Sequence, residues 1–345
     1  MLIFDPSRLE SVMKQELIRR GVHPDAIGHV VGALVETSLR GVDSHGITLF
    51  PHYCRAVDAG RINKNPNMKI LSQQPSVALL NADHAFGHHA GSEAIQMARQ
   101  MADQTGIGVV SVRNSTHFGA AAYYGLQASR KGYMAFTFTN ADSLVKAYGS
   151  DRAFFGTNPI CFTVPMRNED PLCLDMATSQ VSWNKIKIYR MKKQPVPEDW
   201  GFGPDGRPTK DPDAVKSLNP IGLYKGYGLG IMVEILCSLL ASGPFALQVI
   251  PMFTRINEKR SISHFFMVLD IGKFRLVESF LDDMENMVQR VRSLPTLQGV
   301  SSVMIPGDPE KQAFRERTVR GIPIDEKAYE DFLSLSQDFP GALKP

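Results

Sequence analysis

The chain has 345 residues, 43% of them hydrophobic and 21% charged, with a formal net charge of +3. These are the proportions of a folded protein with a large core, and so small a charge gives no reason to expect nucleic acid or an anionic membrane as a partner. Cys54, Cys161, Cys173 and Cys237 lack any Cys-x-x-Cys spacing and read as reduced structural thiols of a cytoplasmic protein. Asp5, Arg8 and Glu10 interrupt any apolar leader, and the run from Leu229 to Ala241 is too short to span a bilayer and contains Glu234.

Asp5-Pro6-Ser7 predicts a helix reaching about Arg20, and Pro24-Asp25 starts a second with Ile27, Val30, Val31, Leu34 and Val35 on one face. The second helix runs into Arg40-Gly41-Val42-Asp43-Ser44-His45-Gly46-Ile47. Gly41 suits the left-handed close of a helix. The turn after it sets Ser44 beside His45, a residue able to give or take a proton near neutral pH, and Gly46 leaves room for another group. Phe50 to Ala59 reads as a helix that points His52, Tyr53 and Arg55 toward the same place.

Val77 to Ala82 reads as a strand, Gly91 to Thr105 as a helix closed by Gly106, and Ile107 to Val112 as a covered strand. Arg113 to Ala120, with His117, follows that strand, then a helix from about Ala121 to Lys131 and a strand from Met134 to Thr139 that ends near Asp142. The alternation predicts an α/β core, with polar loops at strand ends as its ligand positions. Phe155 to Ile160 leads into a strand over Cys161–Val164, and Leu172 to Ser179 is a strand with a polar end at Asp175. Small residues there let a ligand approach the backbone, and an aspartate can accept bonds from ribose hydroxyls.

Residues 185–223 are polar and rich in proline and read as a long loop covering a site or an interface. Tyr224-Lys225-Gly226 opens a helix through Val233, Leu236 and Leu240, and a lysine with glycines at a helix start is a ready anion site. His264–Asp270 reads as a strand, Phe274–Arg292 as an amphipathic helix, and Val303–Glu310 as a strand running into a helix. The segment from Ile322 to Leu335 is expected to return to the N-terminal helices.

Taken together, Gly41-Val42-Asp43-Ser44-His45-Gly46, the His117 loop, Phe155-Gly156-Thr157-Asn158-Pro159, Leu174-Asp175-Met176-Ala177-Thr178-Ser179, Lys225-Gly226 and Pro306-Gly307-Asp308 resemble, in order, the type 2 malate/L-lactate dehydrogenase family. The chain has no Gly-x-Gly-x-x-Gly after a strand, which that family also lacks. The resemblance implies an α/β fold with a mixed-sheet nicotinamide-binding core that is not a standard Rossmann fold. It implies a helical subdomain from the two chain ends (1–75 plus 295–345) around a core and dimerisation unit (76–294). It further implies NAD or NADP as cofactor, a small carboxylic acid as substrate, a homodimer, and hydride transfer between nicotinamide and a 2-hydroxy or 2-oxo acid.

On the same ground His45 and His117 carry the acid/base step, with Ser44, Leu49, Tyr53, Arg55 and Asp142 around the substrate. Gly156, Thr157, Asn158, Asp175, Met176, Ala177, Lys225, Gly226, Pro306, Gly307 and Asp308 then hold the cofactor. Leu49 departs from the pattern, since many relatives carry there an arginine able to pair with a carboxylate. Reduction of a cyclic imino acid on the same fold, and a non-catalytic dinucleotide-binding protein, are the alternatives. No metal is expected: His88-His89 is an adjacent pair without ligand spacing, and no His-Glu-x-x-His occurs.

Overall fold

The computed structural model describes residues 1–335; residues 336–345, part of the expected 295–345 segment, lie outside the described residues. After a short strand β1 (Leu2–Phe4), Asp5 caps α1 (Pro6–Arg19), its carboxylate accepting the amides of Ser7 and Arg8 at 2.9 and 3.0 Å. Helix α2 (Pro24–Leu39) ends as its sequence predicts. Gly41 sits at φ +82°, its amide bonds to the Ser38 carbonyl and that of Val42 to the Thr37 carbonyl, which satisfies the open carbonyls of the last turn. Short turns over Asp43–His45 and Ile47–Leu49 lead into α3 (Phe50–Asp58).

The central layer is a seven-stranded sheet. Its strands are β2 (Lys69–Gln73), β3 (Val77–Asn81), β4 (Ile107–Ser115), β5 (Tyr133–Thr139), β8 (Ile160–Val164), β9 (Leu172–Met176) and β12 (Ile262–Asp270), in the order 2-3-4-12-5-8-9. Only β3 and β4 run parallel; every other neighbouring pair in that sheet is antiparallel. The sheet is therefore mixed. Alternation along β12 explains its two covered faces. Phe266 and Val268 pack with α4 (Gly87–Thr105) and α5 (Ala122–Ser129), while Phe265 and Met267 face α7 (Tyr224–Glu234) and the π-turn Ile235–Leu239 that prolongs it. Glu234, the charge within that apolar run, is buried but accepts bonds from Asn158 and Ala246.

Beside this sheet lies a small four-stranded one, β10-β11-β6-β7, from Gly201–Phe202, Ser217–Leu218, Val145–Lys146 and Ala153–Phe155. Helix α6 (Trp183–Met191) packs there through Ile186, so 185–223 is not one loop. After α8 (Val277–Arg292), α9 spans Asp308–Arg320. No strand forms over 303–306, because the chain turns at Gly307 (φ +96°) and only the Pro306 carbonyl reaches the sheet. Strand β13 (Ile322–Ile324) pairs with β1, and α10 (Glu326–Leu333) puts Phe332 into one apolar cluster with Met13, Leu34 and Phe50, so the two ends of the chain share a core. Among the described residues no helix is long and apolar enough to cross a membrane.

Candidate active site and cofactor cleft

The Asp43–His45 turn is fixed from three sides. Asp43 pairs with Arg317 of α9 at 2.5 and 3.0 Å, and its carbonyl accepts the Thr48 hydroxyl at 2.6 Å. The room at Gly46 is taken by Ser38, whose Oγ lies 2.1 Å from where a Cβ would stand and accepts the Ile47 amide at 2.9 Å. Gly46 therefore serves packing against α2, not the approach of a ligand. Ser44 Oγ lies 2.8 Å from His45 Nδ1, as expected.

His117 enters from the end of β4. Its ring lies 5.8 Å from that of His45 at 25°, so two loops about 70 residues apart in sequence present their imidazoles together. Tyr53 of α3 completes the group, with Oη 2.7 Å from His117 Nδ1. The Gly119 amide reaches the same nitrogen at 3.4 Å. Burial raises the Tyr53 phenol, so the hydroxyl keeps its proton at neutral pH. Burial lowers His45, and lowers His117 well below the usual histidine range, with His45, whenever it is charged, and the Arg260 cation acting in the same direction. Both histidines are neutral at pH 7 without an anion beside them.

Asp142 does not bond either histidine. It accepts the Met252 amide at 2.8 Å and pairs with Arg260. Arg260 is the residue that sequence reasoning missed. It is 3% exposed, its Nε donates to the Ile250 carbonyl at 2.7 Å, and its Nη1 has no partner among the described residues. Its charge acts on His117, Tyr53 and His52, so it stands behind the same site. An arginine inside a polar loop carries no local signal; only its placement by Asp142 reveals it.

Two other expected substrate residues do not join the group. Arg55 is exposed on α3, two positions and so about 200° around the helix from the buried Tyr53. Leu49 packs against the apolar cluster of the helical end.

The residues expected to hold a dinucleotide converge at the open end of β8 and β9. The Thr157 carbonyl accepts the Thr178 amide at 2.9 Å, and the Thr178 carbonyl accepts that of Ile221 at 2.9 Å, which ties Asp175-Met176-Ala177 to the loop before Lys225-Gly226. Lys225 is exposed at the first turn of α7, and Gly226 is pressed on the Ile221 carbonyl, 2.1 Å from where a Cβ would be. On the other side the Cys173 amide donates to Pro306, and Gly307 lies against the Cys173 backbone with Asp308 next in line. Gly156 is packed on the Ala141 carbonyl.

Asn158 is fully buried and bonds the Gly230 carbonyl and Glu234, so its amide holds α7 in place and is not open to a ligand. Asp175 is exposed at the floor of this cleft, one oxygen accepting the Ala122 amide at 2.8 Å at the start of α5. Protein on its other sides raises the carboxyl to about 6, against the pull of that amide.

A dinucleotide fits these residues. A carboxylate with a free oxygen suits ribose hydroxyls, and the exposed lysine at the start of α7 suits phosphate.

The family model described as malate/L-lactate dehydrogenase matches residues 4–333. A malate dehydrogenase of Pyrococcus abyssi is 34% identical over 340 residues, 95% of this chain and 92% of that protein. An NAD(+) ureidoglycolate dehydrogenase of Escherichia coli is 29% identical over 94% of this chain and 93% of its own. The crystal structure of malate dehydrogenase from Entamoeba histolytica superposes with a TM-score of 0.92 at 28% identity, covering 98% of both chains. A Δ1-piperideine-2-carboxylate reductase from Pseudomonas syringae, at 23% identity over 97% of this chain and 100% of its own, shares the fold with a TM-score of 0.87.

Proposed function

Since the chain belongs to the malate/L-lactate dehydrogenase family, and is thereby a nicotinamide-dependent dehydrogenase of hydroxy acids, we propose that His117, backed by Tyr53 and flanked by His45, moves the proton that accompanies hydride transfer between a 2-hydroxy acid and its 2-oxo partner. The observation that carries this is the 2.7 Å contact of Tyr53 Oη with His117 Nδ1 beside a second imidazole. Bound nicotinamide supplies or takes the hydride. The protein supplies the rest.

The Gly119 amide can only donate, so Nδ1 is an acceptor and the proton of the neutral ring sits on Nε2. In the reducing direction that proton goes to the substrate oxygen as Nδ1 takes the Tyr53 hydroxyl proton. The buried charge of Arg260 favours the phenolate so formed, and its buried, unpaired Nη1 is the group left to meet the substrate carboxylate. Ser44 orients His45 across the substrate. Asp175, Met176, Ala177, Thr157, Lys225, Gly226 and the Pro306-Gly307-Asp308 turn line the cofactor, which is NAD or NADP. With Leu49 in the place where many relatives carry arginine, one carboxylate site remains, and a 2-oxo acid larger and less polar than oxaloacetate is the preferred substrate.

A homodimer and a cytoplasmic setting belong to the same reading. Leu229, Met232, Ile235 and Leu239 recur three to four residues apart and, with Leu240 beside the last, stay exposed on the protomer, a stripe that a second copy would cover. A panel of 2-oxo acids and cyclic imines, offered with NADH and with NADPH and followed by loss of reduced nicotinamide, tests the activity. Turnover of imines alone would move the protein to imino-acid reduction, and no turnover of any acid or imine would leave a dinucleotide-binding protein.

A further inference from the structure

His88 lies at the start of α4, outside every role assigned above. It is fully buried, and neither ring nitrogen has a partner among the described residues. A buried polar atom left so is costly, and such groups in proteins are met by ordered water. The placement of this ring is specific. It stands edge-on to Tyr53, with centroids 5.0 Å apart at 84°. Its Nε2 lies 2.9 Å from where a Cβ on Gly119 would be, and Gly119 is the residue whose amide reaches His117 Nδ1. The ring thus borders both members of the Tyr53–His117 pair from behind.

One turn along α4, Ser92 Oγ is also buried without a partner, as is Nδ1 of the neighbouring His89. His89 stacks on His29 at 5.5 Å, and His29, 34% exposed, lies 3.9 Å from Glu93 at the surface. A row of unsatisfied polar groups therefore leads from the back of the site toward solvent.

We propose that His88 is a proton-relay residue, joining the Tyr53–His117 pair to solvent through ordered water held on its two ring nitrogens. The proposal rests on the acid/base assignment made above. For each proton that His117 gives to the substrate oxygen, Tyr53 gives one to His117. His88 then gives one toward Tyr53 from one nitrogen and takes one from the water behind it on the other. Both imidazoles end as the other neutral tautomer, exchange back through water before the next turnover, and one proton enters from solvent at the His29 end. Oxidation runs the row backward. The route matters because a bound dinucleotide and substrate cover the front of the histidines. Burial holds His88 at about 3, so the ring passes a proton on without retaining it.

Two variants and one structure test this. H88F keeps the edge packing on Tyr53 and removes both nitrogens. With an unchanged melting temperature and cofactor affinity, its turnover on the best 2-oxo acid of the panel falls about tenfold or more, on the scale of lost proton transfer, and its solvent deuterium effect grows. H88A falls similarly and regains turnover as imidazole is added. A crystal structure at atomic resolution shows water on both ring nitrogens of the unmodified protein. Turnover of H88F equal to the unmodified enzyme, an H88A defect that imidazole leaves untouched, or dry ring nitrogens would overturn the relay. Failure of the whole panel would instead strike the dehydrogenase reading, and the crystal waters would still decide the role of His88.

Discussion

Two hydrogen bonds to one ring nitrogen decide what His117 can do. With Tyr53 Oη at 2.7 Å and the Gly119 amide at 3.4 Å, Nδ1 is spoken for, and under the proposed mechanism Nε2 is the working atom. His117→Ala is expected to lower turnover by about a hundredfold or more, with His45→Ala on the same scale, as for other lost acid–base groups; steady-state kinetics at saturating cofactor check both. Tyr53→Phe retains the ring packing and loses the hydroxyl, so its loss falls on turnover, not on KM. Arg260→Gln does the opposite. It leaves a shorter, polar amide and drops the charge that would meet the carboxylate, and KM for the acid should rise at least tenfold, the scale of a charged hydrogen bond.

Asp175 gives a pH test. Its acid sits at about 6, and only the ionised form is a pure acceptor for ribose hydroxyls. Dinucleotide affinity should therefore strengthen as pH rises through about 6. Calorimetry on Asp175→Ala, folded but weak at every pH, is the control; a wild-type affinity flat from pH 5 to 7 would remove Asp175 from the cofactor.

The element that sets Arg260 is the loop before β12, and one side chain holds that loop. Arg61, 1% exposed, donates to the carbonyls of Glu258, Met252, Thr254 and Arg255 at 3.0, 2.6, 2.6 and 2.6 Å. Arg61→Met leaves those carbonyls without their donor, and a loss of about 3 kcal/mol or more in urea unfolding is expected, with a further fall in turnover as Arg260 shifts. A full-strength enzyme in that variant would mean the loop is set by Asp142 alone.

None of this was legible beforehand, because Arg61 meets partners nearly 200 residues away and no periodicity marks it. What the chain does show locally was legible. Asp5, Gly41 and Gly106 stop and start helices through their own side chains or backbone, and the apolar run over 107–112 declares a covered strand. Helix α6 was hidden by its polar setting, although Ser182 caps it by accepting the Lys185 amide. Helix α4 starts at Gly87, four residues early, because the Thr116 hydroxyl accepts the Gly87 amide from another strand's end. The histidine pair and the Asp175 cleft were readable as motifs. Their meeting with Tyr53 and Arg260 depends on tertiary contacts.

At the scale of the whole molecule, the interior holds an unusual load of neutral imidazole. His52, His88, His89 and His264 are all buried. Burial is the first cause in each case, lowering His52 and His89 to about 4 and His88 and His264 to about 3. In the unfolded chain each titrates near 6.5. The sign follows directly. Above about 6.5 neither state binds these protons and the full stability is present. As pH falls below 6.5 the unfolded chain takes up protons that the folded chain refuses, until the folded values of about 4 and 3 are reached. Each such histidine then lowers stability by up to about 1.4 kcal/mol per pH unit. Four together can exhaust a marginal fold of about 5–15 kcal/mol within two or three pH units. The ion pairs of the surface act elsewhere: Glu169, held at about 2 by Arg292 and Lys311, is lost only in stronger acid. Thermal melts of the unliganded protein should therefore fall steadily from pH 6.5 to 4.5, with Asp175, which takes up its proton at about 6 in the folded protein, offsetting one of the four histidines. In H88F the slope should be shallower by about one proton in the linkage analysis. A melting temperature level between pH 6.5 and 4.5 would mean that these rings take up protons in the folded protein as readily as in the unfolded chain.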